Sequence, residues 1–152
     1  MKKVAVLIGS TSDEEVMKGC TDYLAKFGIP YDLKVLSAHR NPDEASTFVK
    51  QAESSGYTLF IAAAGMAAHL PGFVAALTTL PVIGVPLAGS ELHGVDALYS
   101  IVQMPAGIPV ATVAVGSAGA KNAAVLAAEI LALHDAEVAA KLRHFRAHGA
   151  KF

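Results

Sequence analysis

Five short apolar runs, each ending in a loop of small or polar residues that opens a helix-like stretch, constrain this chain more than any other feature. The first runs from Lys3 to Ile8 and is almost continuously apolar. A run that short, without polar alternation, is the pattern of a strand buried on both faces of a parallel sheet. Gly9-Ser10-Thr11-Ser12-Asp13 ends it. Asp13 to Phe27 then carries Val16, Met17, Cys20, Tyr23, Leu24 and Phe27 at helical intervals, with Gly28 placed to stop the helix. The same rhythm predicts strands over Tyr31–Leu36, Thr58–Ala63, Pro81–Val85 and Val110–Val115. Helices are predicted over Pro42–Ser55, Gly72–Thr79, Val95–Gln103, Ala120–Leu133 and Asp135–His148, with Pro86–Gly94 a loop.

Strands alternating with helices predict an α/β fold: one domain over residues 1–152, a three-layer αβα, doubly wound parallel five-stranded sheet with an extra C-terminal helix. Right-handed crossovers put every strand-to-helix loop on one edge of such a sheet. A flavodoxin-like order, 2-1-3-4-5, sets the first three loops side by side at the switch point, where ligands bind. Those loops carry Ser10, Ser12 and Asp13; Ser37, His39 and Arg40; and Gly65, Ala68 and His69.

Loop two, Ser37-Ala38-His39-Arg40-Asn41-Pro42, combines an imidazole that can shuttle protons near neutral pH with a guanidinium suited to phosphate. Its plainer alternative is a polar loop whose serine caps the next helix. Loop one offers hydroxyls and free backbone N–H groups at a helix N-terminus, a natural anion site, though Ser12 or Asp13 acting only as a cap explains it equally. Loop three, Gly65 to Gly72, surrounds His69 with alanine and glycine and so leaves space for something compact. His93, in the fourth loop, is placed to rim the pocket, and His134, His144 and His148 fit solvated or interface positions. Two loop histidines without a cysteine pair or an acidic third ligand argue against a metal site.

The net charge of −1 excludes a general pull toward nucleic acid or anionic membrane. No apolar run is long enough to span a bilayer, and the basic start Met1-Lys2-Lys3 is followed by too short an apolar run for a signal peptide. The single cysteine, Cys20, fits a reducing cytoplasm and reads as a packed thiol. Hydrophobic residues make up 53% of the chain and charged ones only 16%, more apolar surface than a small monomer hides, which predicts a homo-oligomer. The small-residue face of Ala118 to Ala132 suits such close packing.

Related chemistries are disfavoured. A phospho-acceptor receiver needs an aspartate where strand three ends in Ala62-Ala63-Ala64, and a P-loop needs a terminal Lys-Ser/Thr that is absent. A flavodoxin's hydroxyl-rich phosphate loop is present, but loop three has no aromatic to sandwich a flavin, Phe73 being the nearest.

Gly9-Ser10-Thr11-Ser12-Asp13, Ser37-Ala38-His39-Arg40 with Pro42-Asp43, and Ala68-His69-Leu70-Pro71-Gly72 resemble the PurE family of purine biosynthesis. So do Gly84-Val85-Pro86 and Ser100-Ile101-Val102-Gln103-Met104-Pro105, and the resemblance runs in order along nearly the whole chain. One branch of that family is a mutase that converts N5-carboxyaminoimidazole ribonucleotide to 4-carboxyaminoimidazole ribonucleotide. The other carboxylates aminoimidazole ribonucleotide directly with carbon dioxide. Ala67-Ala68-His69-Leu70-Pro71-Gly72, with Arg40 rather than lysine after His39, is similar to the mutase branch; Met66 stands where that branch usually has glycine.

The resemblance implies a mutase acting as an octamer in the cytoplasm on a small-molecule ribonucleotide, without metal or organic cofactor. It implies that Ser10, Ser12 and Arg40 bind the phosphate, that Asp13 and Ser37 hold ribose hydroxyls or phosphate, and that His39 is the general acid/base. Gly65, Ala67, Ala68, His69 and Leu70 would form the pocket of the migrating carboxyl group. The alternatives are the direct carboxylase and, more distantly, a non-catalytic phosphate- or flavin-binding module on the same fold.

Overall fold

The computed structural model describes residues 2–152; Met1, the first residue of the basic start, lies outside them. The elements are β1 (Lys3–Ile8), α1 (Glu14–Phe27), β2 (Tyr31–Val35), α2 (Pro42–Ala52), β3 (Tyr57–Gly65) and α3 (Leu70–Leu77). There follow β4 (Val82–Leu87), α4 (Val95–Val102), β5 (Ala111–Thr112), α5 (Ser117–Ala132) and α6 (Ala136–Ala147). The strands form one parallel sheet in the order β2-β1-β3-β4-β5, the order expected.

Alternation along the central strands divides the core in two. Val4, Val6, Ile8, Leu59, Ile61 and Ala63 face α1, α5 and α6, while Ala5, Leu7, Phe60, Ala62 and Ala64 face α2, α3 and α4. Val4 to Ile8 are wholly buried, as a strand covered on both faces must be. α1 buries Met17, Cys20, Leu24 and Phe27, and ends where Gly28 at φ 73° donates to Ala25 O while Ile29 donates to Leu24 O. That is a Schellman cap, and it needs the left-handed residue that glycine supplies. Burial pushes the Cys20 thiol up to about 12, which rules it out as a nucleophile at neutral pH.

The structure departs from the sequence reading in the lengths of elements, and the departures cluster at the carboxyl edge. β3 runs on to Gly65 and β4 to Leu87, so residues read as loop continue the sheet toward the switch point. Pro86 is tolerated inside β4 because its nitrogen faces the side on which β5 has already ended; β5 pairs only with Ile83 and Gly84. α3 begins at Leu70 rather than Gly72, since Pro71 sits in the first turn, where its missing N–H costs nothing. β5 is two residues long instead of the six expected, although Val113 N–H still reaches Gly84 O and Gly116 N–H reaches Pro86 O.

At the opposite, amino edge, Lys3 Nζ lies 2.8 Å from Asp32 Oδ2, and the Tyr57 hydroxyl donates to the same oxygen at 2.5 Å. The lysine and then the tyrosine hold the Asp32 carboxyl below its usual range. This clip joins β1, β2 and β3 far from the loops described next.

Candidate active site

Three loops and the end of β4 enclose a cavity of about 550 Å³ at the carboxyl edge. Its volume lies in the range of about 300–1,000 Å³ typical of small-molecule sites. The lining includes Ser10, Ser12, Asp13, Ser37, His39, Arg40, Gly65, Ala67, His69 and Leu70, ten residues singled out from sequence. Ala68, the eleventh, is 1% exposed and lines an adjoining hollow of about 310 Å³ together with His39, Ala67, His69, Phe73 and Ser100.

Loop one turns through a short 3-10 helix, Thr11–Asp13, before α1 begins. Ser10 caps that turn: its Oγ accepts from Ser12 N–H at 3.3 Å and from Ser12 Oγ at 3.0 Å. The capping alternative therefore falls to Ser10, and two hydroxyls stand together facing the cavity. Asp13 occupies the N-cap position of α1 without any side-chain capping bond. Burial pushes its carboxyl up, opposed by a hydrogen bond from the Ser10 backbone. A carboxyl whose charge is disfavoured repels a neighbouring anion less than a freely ionised one.

In loop two the Ser37 hydroxyl accepts from Arg40 N–H at 3.1 Å, and Ser37 O accepts from Asn41 N–H at 2.9 Å. Ser37 thus fixes the turn that presents His39 and Arg40. It does not cap α2, whose N-cap is Asn41 with no side-chain bond. Arg40 is exposed, and among the described residues no carboxylate pairs with it. A cation at the rim of a cavity, committed to no protein anion, is available to a ligand's phosphate.

The two loop histidines meet. Their rings lie 5.0 Å apart, edge to face at 77°, and His69 in turn leans on Phe73 at 5.9 Å. His69 sits at the N-cap of α3 with φ −77°, so the helix start aims its ring back toward loop two. Around the pair the walls are small: Ala64, Gly65, Ala67 and Ala68 leave a compact apolar recess. The arrangement gathers an uncommitted cation, paired hydroxyls and two imidazoles around one cavity, with small-residue walls beside the histidines.

Sequence reasoning missed Leu87 and Gly89, which bring the end of β4 into the wall, along with Gly9, Ala38 and Ala64, while Met66, noted there as a departure from the usual glycine, also lines the cavity. The signal for the first two was available, because the rule that ligands sit beyond the carboxyl ends of the strands applies to β4 as well. His93 does not line the cavity; it adopts φ 53° in the turn leading to α4. Among the described residues no cluster of three His, Cys, Asp or Glu is gathered as a metal ion would require, and no helix is long and apolar enough to cross a membrane.

Comparison with known proteins agrees with this fold. The chain is 51% identical over 144 residues to an N5-carboxyaminoimidazole ribonucleotide mutase of Escherichia coli K12, covering 95% of this chain and 85% of that one. It is 54% identical over 145 residues to the mutase of the same name from Saccharolobus solfataricus, covering 95% and 90%. The crystal structure of Treponema denticola PurE superposes with a TM-score of 0.89 at 32% identity, over 99% of this chain and 92% of that one. The sequence model described as AIR carboxylase matches residues 3–151, taking in β1, all three loops and both C-terminal helices. A match that spans the sheet and every wall of the cavity, joined to relatives sharing half of all residues, leaves one conclusion: the chain belongs to the AIR carboxylase, or PurE, family.

Proposed function

We propose that this chain is an N5-carboxyaminoimidazole ribonucleotide mutase of purine biosynthesis, acting through His39 in the cavity described. The observation that carries the assignment of roles is the meeting of His39 with His69 across 5.0 Å, beside an Arg40 that no protein carboxylate engages. Identities of 51–54% to proteins named as the mutase support that activity over the direct carboxylase.

The chemistry follows from the residues. The substrate's N–C bond to its carboxylate breaks, carbon dioxide leaves, and the electron pair stays on nitrogen, which takes a proton from His39. The electron-rich ring carbon then forms a C–C bond to the same carbon dioxide. The proton left on that carbon returns to His39, restoring the aromatic ring. Imidazole is the side chain whose ordinary titration range lets one group give and take a proton at neutral pH. Arg40 and the Ser10–Ser12 hydroxyls grip the phosphate, so binding energy remote from the reaction orients the reacting carbon. Asp13 and Ser37 hold the ribose or the phosphate, and Gly65, Ala67, Ala68, His69 and Leu70 enclose the migrating carboxyl.

Turnover of N5-carboxyaminoimidazole ribonucleotide and of aminoimidazole ribonucleotide, each with and without bicarbonate, tests the reading. The first substrate is expected to react without bicarbonate and the second only slowly with it. Fast bicarbonate-dependent carboxylation would establish the carboxylase instead. Replacing Arg40 with alanine is expected to raise the Michaelis and dissociation constants for the nucleotide by about 10–100-fold, the value of a lost charge-assisted phosphate contact, with a smaller effect on turnover. Isothermal titration against wild type checks this, and an unchanged dissociation constant would remove Arg40 from the phosphate site.

The enzyme is read as a one-domain cytoplasmic protein assembled into an octamer. Leu92, Val95, Tyr99 and Val102, 45–64% exposed, recur at intervals of three and four along α4 and its approach. They form an apolar stripe that a monomer would leave in water. Ser100 on the same helix lines the second hollow, so a neighbour docked on the stripe would lie close to that hollow. Sedimentation analysis is expected to give an eight-chain particle that Tyr99→Glu breaks apart; a wild-type monomer at micromolar concentration would refute the assembly.

A further inference from the structure

A separate hollow of about 510 Å³ lies between α1, the start of α5 and the end of the chain beyond α6. It shares no lining residue with the candidate active site and belongs to the sheet face covered by α1, α5 and α6, opposite the α4 stripe. One wall is aromatic. Phe152 lies 5.0 Å from Tyr23 and 4.7 Å from Phe145, centroid to centroid. Phe145 is buried, but Phe152 is 47% exposed and Tyr23 half-buried, which leaves ring surface open beside the hollow. Lys121 and Lys151 also line it, and among the described residues no carboxylate pairs with either. Lys121 Nζ lies 5.9 Å from the Tyr23 ring centroid, so charge and ring are adjacent. Lys26 Nζ, 5.1 Å from the Phe152 centroid, adds a third ammonium. Among the described residues no aspartate or glutamate lines the hollow; Asp22 is paired with Lys18, and Glu129 with Arg146. In a chain of net charge −1 this is a local excess of positive charge, drawn from three different elements onto one concave surface.

We propose that this hollow is a second small-molecule site, taking an anionic heteroaromatic ligand of the nucleoside-phosphate class. The heterocycle packs on Tyr23 and Phe152, where ring-on-ring contact adds to the burial of apolar surface. The phosphate meets Lys121 and Lys151, ammonium groups that no protein anion engages. Asn122 contributes an exposed amide that can both donate to and accept from the edge of a base. Because cations and rings share one concavity, a ligand carrying both a phosphate and a planar ring satisfies both walls at once. A free anion or an uncharged aromatic satisfies only one. The site stands independently of the mutase reading.

The test is calorimetric titration with adenosine 5′-monophosphate, inorganic phosphate and adenosine as probes. It is run on the full chain carrying Arg40→Ala, which lacks the proposed phosphate grip of the other cavity. The monophosphate is expected to bind this protein at one site per chain, at least tenfold more tightly than phosphate or adenosine. Adding Lys121→Glu should weaken it by about tenfold or more, the value of a lost charge-assisted contact, and Lys121→Arg by less than about threefold. Lys121 is exposed, so both variants should melt with their parent; if Lys121→Glu does not, Lys121→Gln removes the charge without reversing it and should also weaken binding. The proposal is overturned if the monophosphate fails to bind the Arg40→Ala protein at millimolar concentration, or binds it no more tightly than phosphate. Unchanged affinity after loss of the Lys121 charge overturns it too, because the probe then sits elsewhere.

Discussion

His39→Asn is expected to lower turnover by about 10²–10⁴-fold, the range for loss of a positioned acid/base group, while leaving nucleotide affinity within about threefold of wild type. Asparagine keeps much of the ring's size and a donor–acceptor edge, and it cannot exchange a proton near neutral pH. Among the described residues no protein hydrogen bond holds the His39 ring, and the residue is exposed, so the substitution removes no buried partner and should not disturb the fold. The proposed phosphate grip lies with Ser10, Ser12 and Arg40, and ground-state binding is therefore expected to survive. Rapid-quench turnover and calorimetric titration on the same preparation separate the two effects. Turnover within threefold of wild type would shift the proton role to His69, among the described residues the only other imidazole in the cavity wall. Parallel loss of affinity and turnover would mean that His39 holds the substrate rather than moving protons.

The ease with which the site was anticipated differs from residue to residue, for physical reasons. Which loops meet was legible because it follows from strand order alone: short apolar runs give a parallel sheet, right-handed crossovers place the loops on one edge, and the rest is adjacency. What each loop does internally was not legible. Ser37 could cap the helix that follows it, or shape the turn before that helix. Only the bond from Arg40 N–H to its Oγ decides for the turn. Met66 was visible as a departure from the glycine usual in the family, but its reason, a φ of 56°, is a backbone property that no periodicity encodes.

The failure at β5 has a different origin. Val110 to Val115 is apolar, and apolarity usually signals a buried strand. Here Ala111 and Ala114 are exposed on the described chain, and the ladder to β4 lasts two residues. The pattern reader assumes that apolar residues are buried by their own chain. In an assembling protein, some are reserved for a neighbour, and the proposed octamer accounts for the exposed stretch on the same grounds as the α4 stripe. The reading of α3 failed for a smaller reason: Pro71-Gly72 looks like a turn until the first-turn tolerance of proline is applied, and that error displaced the start of the helix past His69, the residue it orients.

Gly119→Ala is expected to destabilise the protein by about 3 kcal/mol or more, at the upper end of single-site effects. In the first turn of α5, a Cβ on residue 119 would stand 1.6 Å from Ala114 O and 2.7 Å from Ala114 C, both backbone atoms that no rotamer change can move. The helix must therefore lift off or the segment after β5 must shift. Lifting is costly because Ala120, Ala123, Ala124, Ala127 and Ala128 are wholly buried behind it, small residues that let α5 lie close against the sheet and α1. Shifting the preceding segment strains the bond from Gly116 N–H to Pro86 O at 2.8 Å, which holds β4 just before Leu87 and Gly89 enter the cavity wall. The variant should accordingly lose nucleotide affinity as well as stability. Urea unfolding checks the first, with Ala118→Gly as the control: it changes the adjacent, exposed helix position and should cost only about 1 kcal/mol in helix propensity. If Gly119→Ala unfolds with a midpoint close to that control, α5 is not seated on the Ala114 carbonyl. The fourth wall of the cavity would then owe its position to β4 alone.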